Sequence, residues 1–129
     1  MHATAHTDAA IRRARFVRGG RDPATGLDCL GVVLVKLAQH GLALPDPWQQ
    51  LADDWRAGLR IGVGALMPAD WRQVPAASRP CDVLLVGGDR MGVAFFDGVL
   101  AWTAQPGAGV VRVPLERLPV VEVWRHATR

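Results

Sequence analysis

Cysteine is scarce in this 129-residue chain, and tyrosine is missing altogether. Two cysteines, Cys29 and Cys81, are too few to staple a disulfide scaffold, and they match no metal-ligand spacing. They read as thiols of a reducing compartment, with a bridge between them left open. Long apolar runs are also missing. The longest, Leu30 to Leu37, falls far short of the roughly 20 residues that span a bilayer. Met1 to Thr7 holds no apolar stretch that could act as a signal peptide. The expectation is a chain made in the cytoplasm, with no membrane span, whose export needs another route. Net charge is low as well: a formal +3 gives no reason to expect nucleic acid, and no nucleic-acid-binding motif is present.

What is there is enough to build a core. Half the residues are hydrophobic and 21% are charged, which fits one folded domain over residues 1–129, with 1–7 as a loose tail. A first helix is expected from Thr7 or Asp8 through Ile11, Ala14 and Val17, ended by Gly19-Gly20. The turn-rich stretch Arg21 to Gly26 follows. A second helix opens at Asp28 or Cys29 and runs to about Gln39, with Gly41 as its stop. Being apolar nearly all round, it should be central and buried. Asp46-Pro47 marks a third helix, with Trp48, Leu51, Trp55 and Leu59 on one face.

From Pro80 the pattern turns to short apolar strands. They are expected at 82–86, 92–96, 99–103, 109–113 and 120–124, with Asp97-Gly98 as a two-residue hairpin. Helices first and an antiparallel meander after give an α+β fold.

The segment Gly26-Leu27-Asp28-Cys29-Leu30-Gly31-Val32-Val33 carries the chemistry. It delivers Cys29 to the N-terminus of the buried helix, where free N–H groups and the helix dipole favour a thiolate and lower its pKa. The plainer alternative is a small buried cysteine acting as a hydrophobe. With His40-Gly41-Leu42-Ala43-Leu44-Pro45 after it, this segment resembles the NlpC-type, papain-like cell-wall cysteine peptidases. In that family an Asp-Cys-Ser-Gly-Leu motif opens the central helix. Arg79-Pro80-Cys81-Asp82-Val83-Leu84 is similar to the family's Pro-Gly-Asp-Leu strand, with Cys81 in the glycine's place. Arg90-Met91-Gly92-Val93-Ala94-Phe95-Phe96-Asp97-Gly98 resembles its His-Val-Gly-Ile-Tyr hairpin. Gly20-Arg21-Asp22-Pro23 looks most like the short members at phage tail tips and in gene transfer agents.

The resemblance implies a papain-like fold, peptidoglycan as substrate, no cofactor or metal, and Cys29 as the nucleophile. It also implies that the family's histidine falls at Arg90 and its third polar residue near Trp102, while Phe16 stands at an aromatic position often filled by tyrosine. Arginine stays protonated and cannot serve as a base. His40 lies eleven residues along the helix from Cys29, roughly 16 Å away, too far to replace the missing imidazole. His2 and His6 sit in the tail, which leaves His126 as the one histidine that could substitute. Two functions are therefore in play. One is an active endopeptidase. The other is a degenerate domain serving as a structural part of a phage-tail or gene-transfer-agent-like particle, with Trp102 filling the cleft. A third possibility is a module that binds peptidoglycan stems without cutting. Arg12, Arg13, Arg15, Arg18 and Arg21 form either a solvated helix face or a dock for an acidic neighbouring subunit.

Overall fold

Thr7 starts the first helix by accepting the Ala10 N–H on its hydroxyl at 3.1 Å. In this computed structural model, which describes residues 6–44, 67–87 and 92–129, helix α1 covers only Asp8–Arg12. The expected continuation to Val17 does not occur, because the next residues take up other partners. Leu27 N–H donates to the Arg15 carbonyl, Val17 N–H donates to the Leu27 carbonyl, and Phe16 bridges Leu27 in parallel. Residues 15–17 thus run extended beside a small hairpin of β1 (Arg21–Asp22) and β2 (Gly26–Leu27), which the sequence reading had as a loop.

As expected, helix α2 spans Cys29–Gln39 and stops at Gly41, whose φ is 72°; Asp28 caps its start. It is buried on most sides: Leu30, Val32, Val33 and Leu37 are fully enclosed. The chain's single lysine, Lys36, is enclosed with them. Its ammonium reaches Asp8 at 2.8 Å and lies 4.1 Å from the centre of the Trp102 ring, so it pins α1 to α2 across an aromatic floor. The third expected helix, with Trp48 and Trp55, lies outside the described residues, as does Arg90.

Six strands make one antiparallel sheet in the order β3-β8-β4-β5-β6-β7. They are β3 (Trp71–Val74), β4 (Asp82–Val86), β5 (Gly92–Phe96), β6 (Ala101–Gln105), β7 (Gly109–Val113) and β8 (Val120–His126). Only β4 to β7 form a meander. After a 3-10 turn at Leu115–Arg117, β8 returns across the sheet to pair with β4 and with β3, a strand missing from the expectation. The strand expected at 99–103 starts at Ala101, because Asp97 organises a longer turn. Its carboxylate accepts the Val99 and Leu100 N–H groups, both at 2.7 Å, and its own N–H donates to the Leu100 carbonyl.

The two faces of the sheet alternate as the pleat requires. Val83, Leu85, Val93, Phe95 and Trp102 pack with α2, while Leu84, Ala94, Phe96, Ala101 and Val123 make a second cluster on the opposite face. Helices set on one sheet, with α2 against β5 and β6, give the α+β architecture expected. Among the described residues, no helix is long and apolar enough to cross a membrane.

Cys81, at the start of β4, is fully buried and has φ of 74°. This left-handed backbone is where the similar family motif carries glycine, and a side chain there costs about 1–2 kcal/mol. Cys81→Gly relieves that cost, but it frees the unfolded chain by about 0.5–1 kcal/mol and removes a buried sulfur. The expected change in thermal stability is therefore small, within about 1 kcal/mol of the parent by urea titration.

Candidate active site

Three glycines, on either side of Cys29, let the chain close in on itself there. A Cβ on Gly31 would lie 2.2 Å from the Gly20 carbonyl oxygen, and one on Gly20 would lie 2.3 Å from the Gly26 oxygen. The turn at Gly20, the hairpin strand β2 and the first turn of α2 therefore meet backbone to backbone. Asp28 ties this junction together. Its carboxylate accepts the Gly31 N–H at 2.7 Å and the Gly19 N–H at 3.0 Å, and it pairs with Arg21 at 2.6 Å. Asp28 figured in the sequence reading only as a possible helix start and as part of the motif around Cys29. Its Arg21 pairing carried no local signal, since the two residues meet across the β1–β2 hairpin.

Cys29 follows as the first residue of α2, half-buried, with its thiol free; Cys81 is free as well. The sulfur is turned toward the beginning of β5: a Cβ on Gly92 would lie 3.7 Å from it. Half-buried and facing β5, Cys29 is not a purely interior hydrophobe. The electrostatics run against the expected activation. Burial pushes the Cys29 thiol above the ordinary thiol value, and the adjacent Asp28 carboxylate pushes it further, while the Val93 and Leu30 backbone amides pull the other way. Burial prevails over the helix terminus, so the sulfur rests as a thiol at neutral pH.

None of the described histidines is at the sulfur. The His6 carbonyl accepts from Gln39 at the far end of α2, so His6 lies a helix length from Cys29. His40 caps the C-terminus of α2 and stacks on Phe95, with ring centres 5.9 Å apart; burial holds its pKa below the usual value. His126 sits opposite Trp71 on β8 and contacts Asp70 at 3.0 Å and Thr128 at 2.8 Å. Trp124, two residues before His126, pairs with Val83, near the end of β4 opposite the Val86–Gly92 pair. His126 is thereby about five residues, or roughly 16 Å, along the sheet from the Cys29 end, with β4 between it and β5. At that distance it cannot act as a base for Cys29. His2 and Arg90 fall outside the described residues.

Trp102 is placed under the middle of α2 rather than at the sulfur. It lies opposite Phe95, its ring carries the Lys36 ammonium, and its indole N–H donates to Asp97 at 2.8 Å. Lys36 is seven residues beyond Cys29, roughly 10 Å along the helix. Lys36 was missed as a site neighbour, although a lone charge in an otherwise apolar helix was a readable signal. Phe16 is half-buried against the core, and Arg12, Arg13, Arg15 and Arg18 are exposed. Among the described residues, no cluster of three or more His, Cys, Asp or Glu side chains could hold a metal ion.

A cysteine at the head of a central helix, facing the first strand of an antiparallel hairpin, defines the papain-like arrangement of NlpC-type domains. The chain has that fold. Among solved structures it is similar to the NlpC/p60 domain of peptidoglycan hydrolase SagA, with a TM-score of 0.55 and 22% sequence identity over 89% of this chain and 88% of that one. No protein-family model and no curated protein sequence matches the chain.

Proposed function

We propose that this domain is a disarmed NlpC-type cell-wall peptidase, retained as a structural component of a phage-tail or gene-transfer-agent-like particle. The observation that carries the reading is the state of Cys29. It heads α2, where the similar family carries its nucleophile, but it is half-buried, has no described imidazole near it, and burial raises its pKa. Cleaving an amide through a thiol requires a base to take the sulfhydryl proton and later return it to the leaving amine. Arg90, at the position matching the family's histidine, can offer a positive charge but cannot carry that proton. The tail-tip role itself rests on the Gly20-Arg21-Asp22-Pro23 approach to the cysteine, and the SagA domain supports the cell-wall connection through its fold.

A second reading, a cysteine endopeptidase acting on peptidoglycan stem peptides, is favoured by one observation: the Cys29 sulfur faces Gly92, two residues after the histidine-equivalent position. Digestion of purified peptidoglycan separates the two. Fragment release by the chain is expected to equal that of Cys29→Ala, and particle assembly is expected to be unchanged by Cys29→Ser. Release that disappears in Cys29→Ala would establish the enzyme and overturn the structural reading.

A further inference from the structure

Among the described residues, exposed arginines gather along one edge. Arg12, Arg13, Arg15, Arg18 and Arg112 are all exposed. The acidic groups nearby are mostly engaged: Asp8 is held by the buried Lys36, and Asp28 by Arg21. Asp22 is the acid left over, with its carboxylate capping the Ala24 N–H. Five arginines less Asp22 amount to +4, whereas the whole chain, with 15 basic and 12 acidic side chains, carries +3. Everything else is therefore at about −1.

Fold geometry places these arginines beside the open edge of the sheet. β7 is the last strand in the order, and the segment after α1 runs against its beginning. A Cβ on Gly109 would lie 2.8 Å from the Ala14 carbonyl oxygen and 3.5 Å from the Arg15 Cα, and Val110 N–H donates to that same Ala14 oxygen. Val110 thus turns its backbone outward, away from β6. Strand alternation turns Arg112 outward also. Residue 14 covers the edge at Val110, whereas the Arg112 N–H and C=O have no partner among the described residues. Exposed edges of this kind invite a further strand unless something blunts them.

We infer that this edge, formed by β7 and the arginines of residues 12–18, docks an acidic polypeptide segment that adds to β7 as an extended strand. Backbone pairing at Arg112 supplies the register, and the arginines select for carboxylates. A polypeptide fits better than a nucleic acid on two grounds. A strand edge is matched by another peptide backbone. Base stacking needs exposed aromatic side chains, and the large hydrophobic residues exposed among those described are Val99 and Val121. The inference deepens the reading of the domain as an assembly component, and its test does not depend on any wall-digestion result.

The test is a fluorescence-anisotropy titration of the full chain with a labelled peptide of alternating glutamate and valine, and with a labelled oligothymidylate of equal charge. Saturable peptide binding, weakened by added salt and tighter than oligothymidylate binding, is expected. Changing Arg12→Glu, Arg13→Glu and Arg15→Glu together should weaken it by about tenfold or more. Arg112→Pro removes the outward N–H together with the charge, and proline is tolerated at such an edge position. It should bind more weakly than Arg112→Gln, which removes the charge and its contact over the Trp102 ring but keeps the N–H. Hydrogen exchange provides a second readout in the unmodified chain: the Arg112 amide should slow when peptide saturates the surface. Absence of saturable peptide binding, tighter binding of oligothymidylate, or an Arg112 amide that exchanges unchanged would each overturn the proposal.

Discussion

Replacing Arg125 with methionine is expected to cost about 3–5 kcal/mol of stability, the range for stranding one member of a buried ion pair. The Asp82 side chain has no solvent exposure, and Arg125 grips both of its oxygens at 2.7 Å. The same carboxylate accepts the Ser78 and Arg79 N–H groups, and Arg125 also reaches the Ser78 hydroxyl. This cluster anchors the start of β4 to β8, and so joins the returning strand to the meander. Arg125→Met leaves the carboxylate buried and unpaired, and the urea midpoint should fall by at least about 1 M, given denaturant slopes of roughly 1–3 kcal/mol per M. Adding Asp82→Asn should recover part of the loss, because a neutral amide costs less to bury and still accepts the two backbone N–H groups.

The same cluster fixes the sign of the acid dependence. Burial alone would raise the Asp82 pKa, but the Arg125 bonds and the two backbone N–H groups overcome it and hold the carboxyl below its ordinary value. A depressed folded-state pKa contributes stability above the unfolded carboxylate value of about 3.9, and that contribution is lost as pH falls through the lower folded value. Stability should therefore decline below about pH 4, and the decline should be weaker in the Asp82→Asn, Arg125→Met double variant.

Gly31→Ala is expected to be comparably damaging, at or beyond the top of the ~1–3 kcal/mol typical of overpacking. The new methyl would meet the Gly20 carbonyl oxygen at 2.2 Å, and a backbone atom cannot swing aside as a flexible side chain can. To make room, α2 must move off the Gly20 turn, which stretches the Asp28 bonds to Gly19 and Gly31. A lowered melting temperature with a loosened Cys29 environment, read as faster alkylation of the sulfur, is the expected outcome. Parent-like melting would show that the junction is less tight than its geometry implies.

Much of this was readable from residue patterns, and the failures share a cause. Helix α2 was legible because an apolar run and a glycine stop agree. The position of Cys29 at its head came with it. Strands β4, β5 and β7 were legible from short apolar runs. α1 was overextended because Ala14 and Val17 keep helical spacing, yet the Ala14 carbonyl is claimed by Val110 and the Arg15 carbonyl and Val17 N–H by Leu27, contacts that no local window contains. The hairpin of β1 and β2 is too short to show a period, and β8 pairs with β3 some fifty residues earlier in the chain. The expected drop in the Cys29 pKa failed for a related reason. A helix N-terminus is visible in sequence, whereas the burial that opposes it depends on strands far along the chain. The left-handed backbone of Cys81 was foreshadowed only by the glycine of the similar motif.

One titration decides most directly whether the nucleophile has been disarmed. In a Cys81→Gly background, the rate of Cys29 alkylation by iodoacetamide would be followed from pH 5 to pH 10. A resting thiol predicts slow reaction at neutrality, with the rate still climbing past the pH at which an ordinary cysteine has ionised. A fast plateau already reached near pH 6 would mean a thiolate stabilised by a partner cation, and the domain would have to be regarded as a working peptidase.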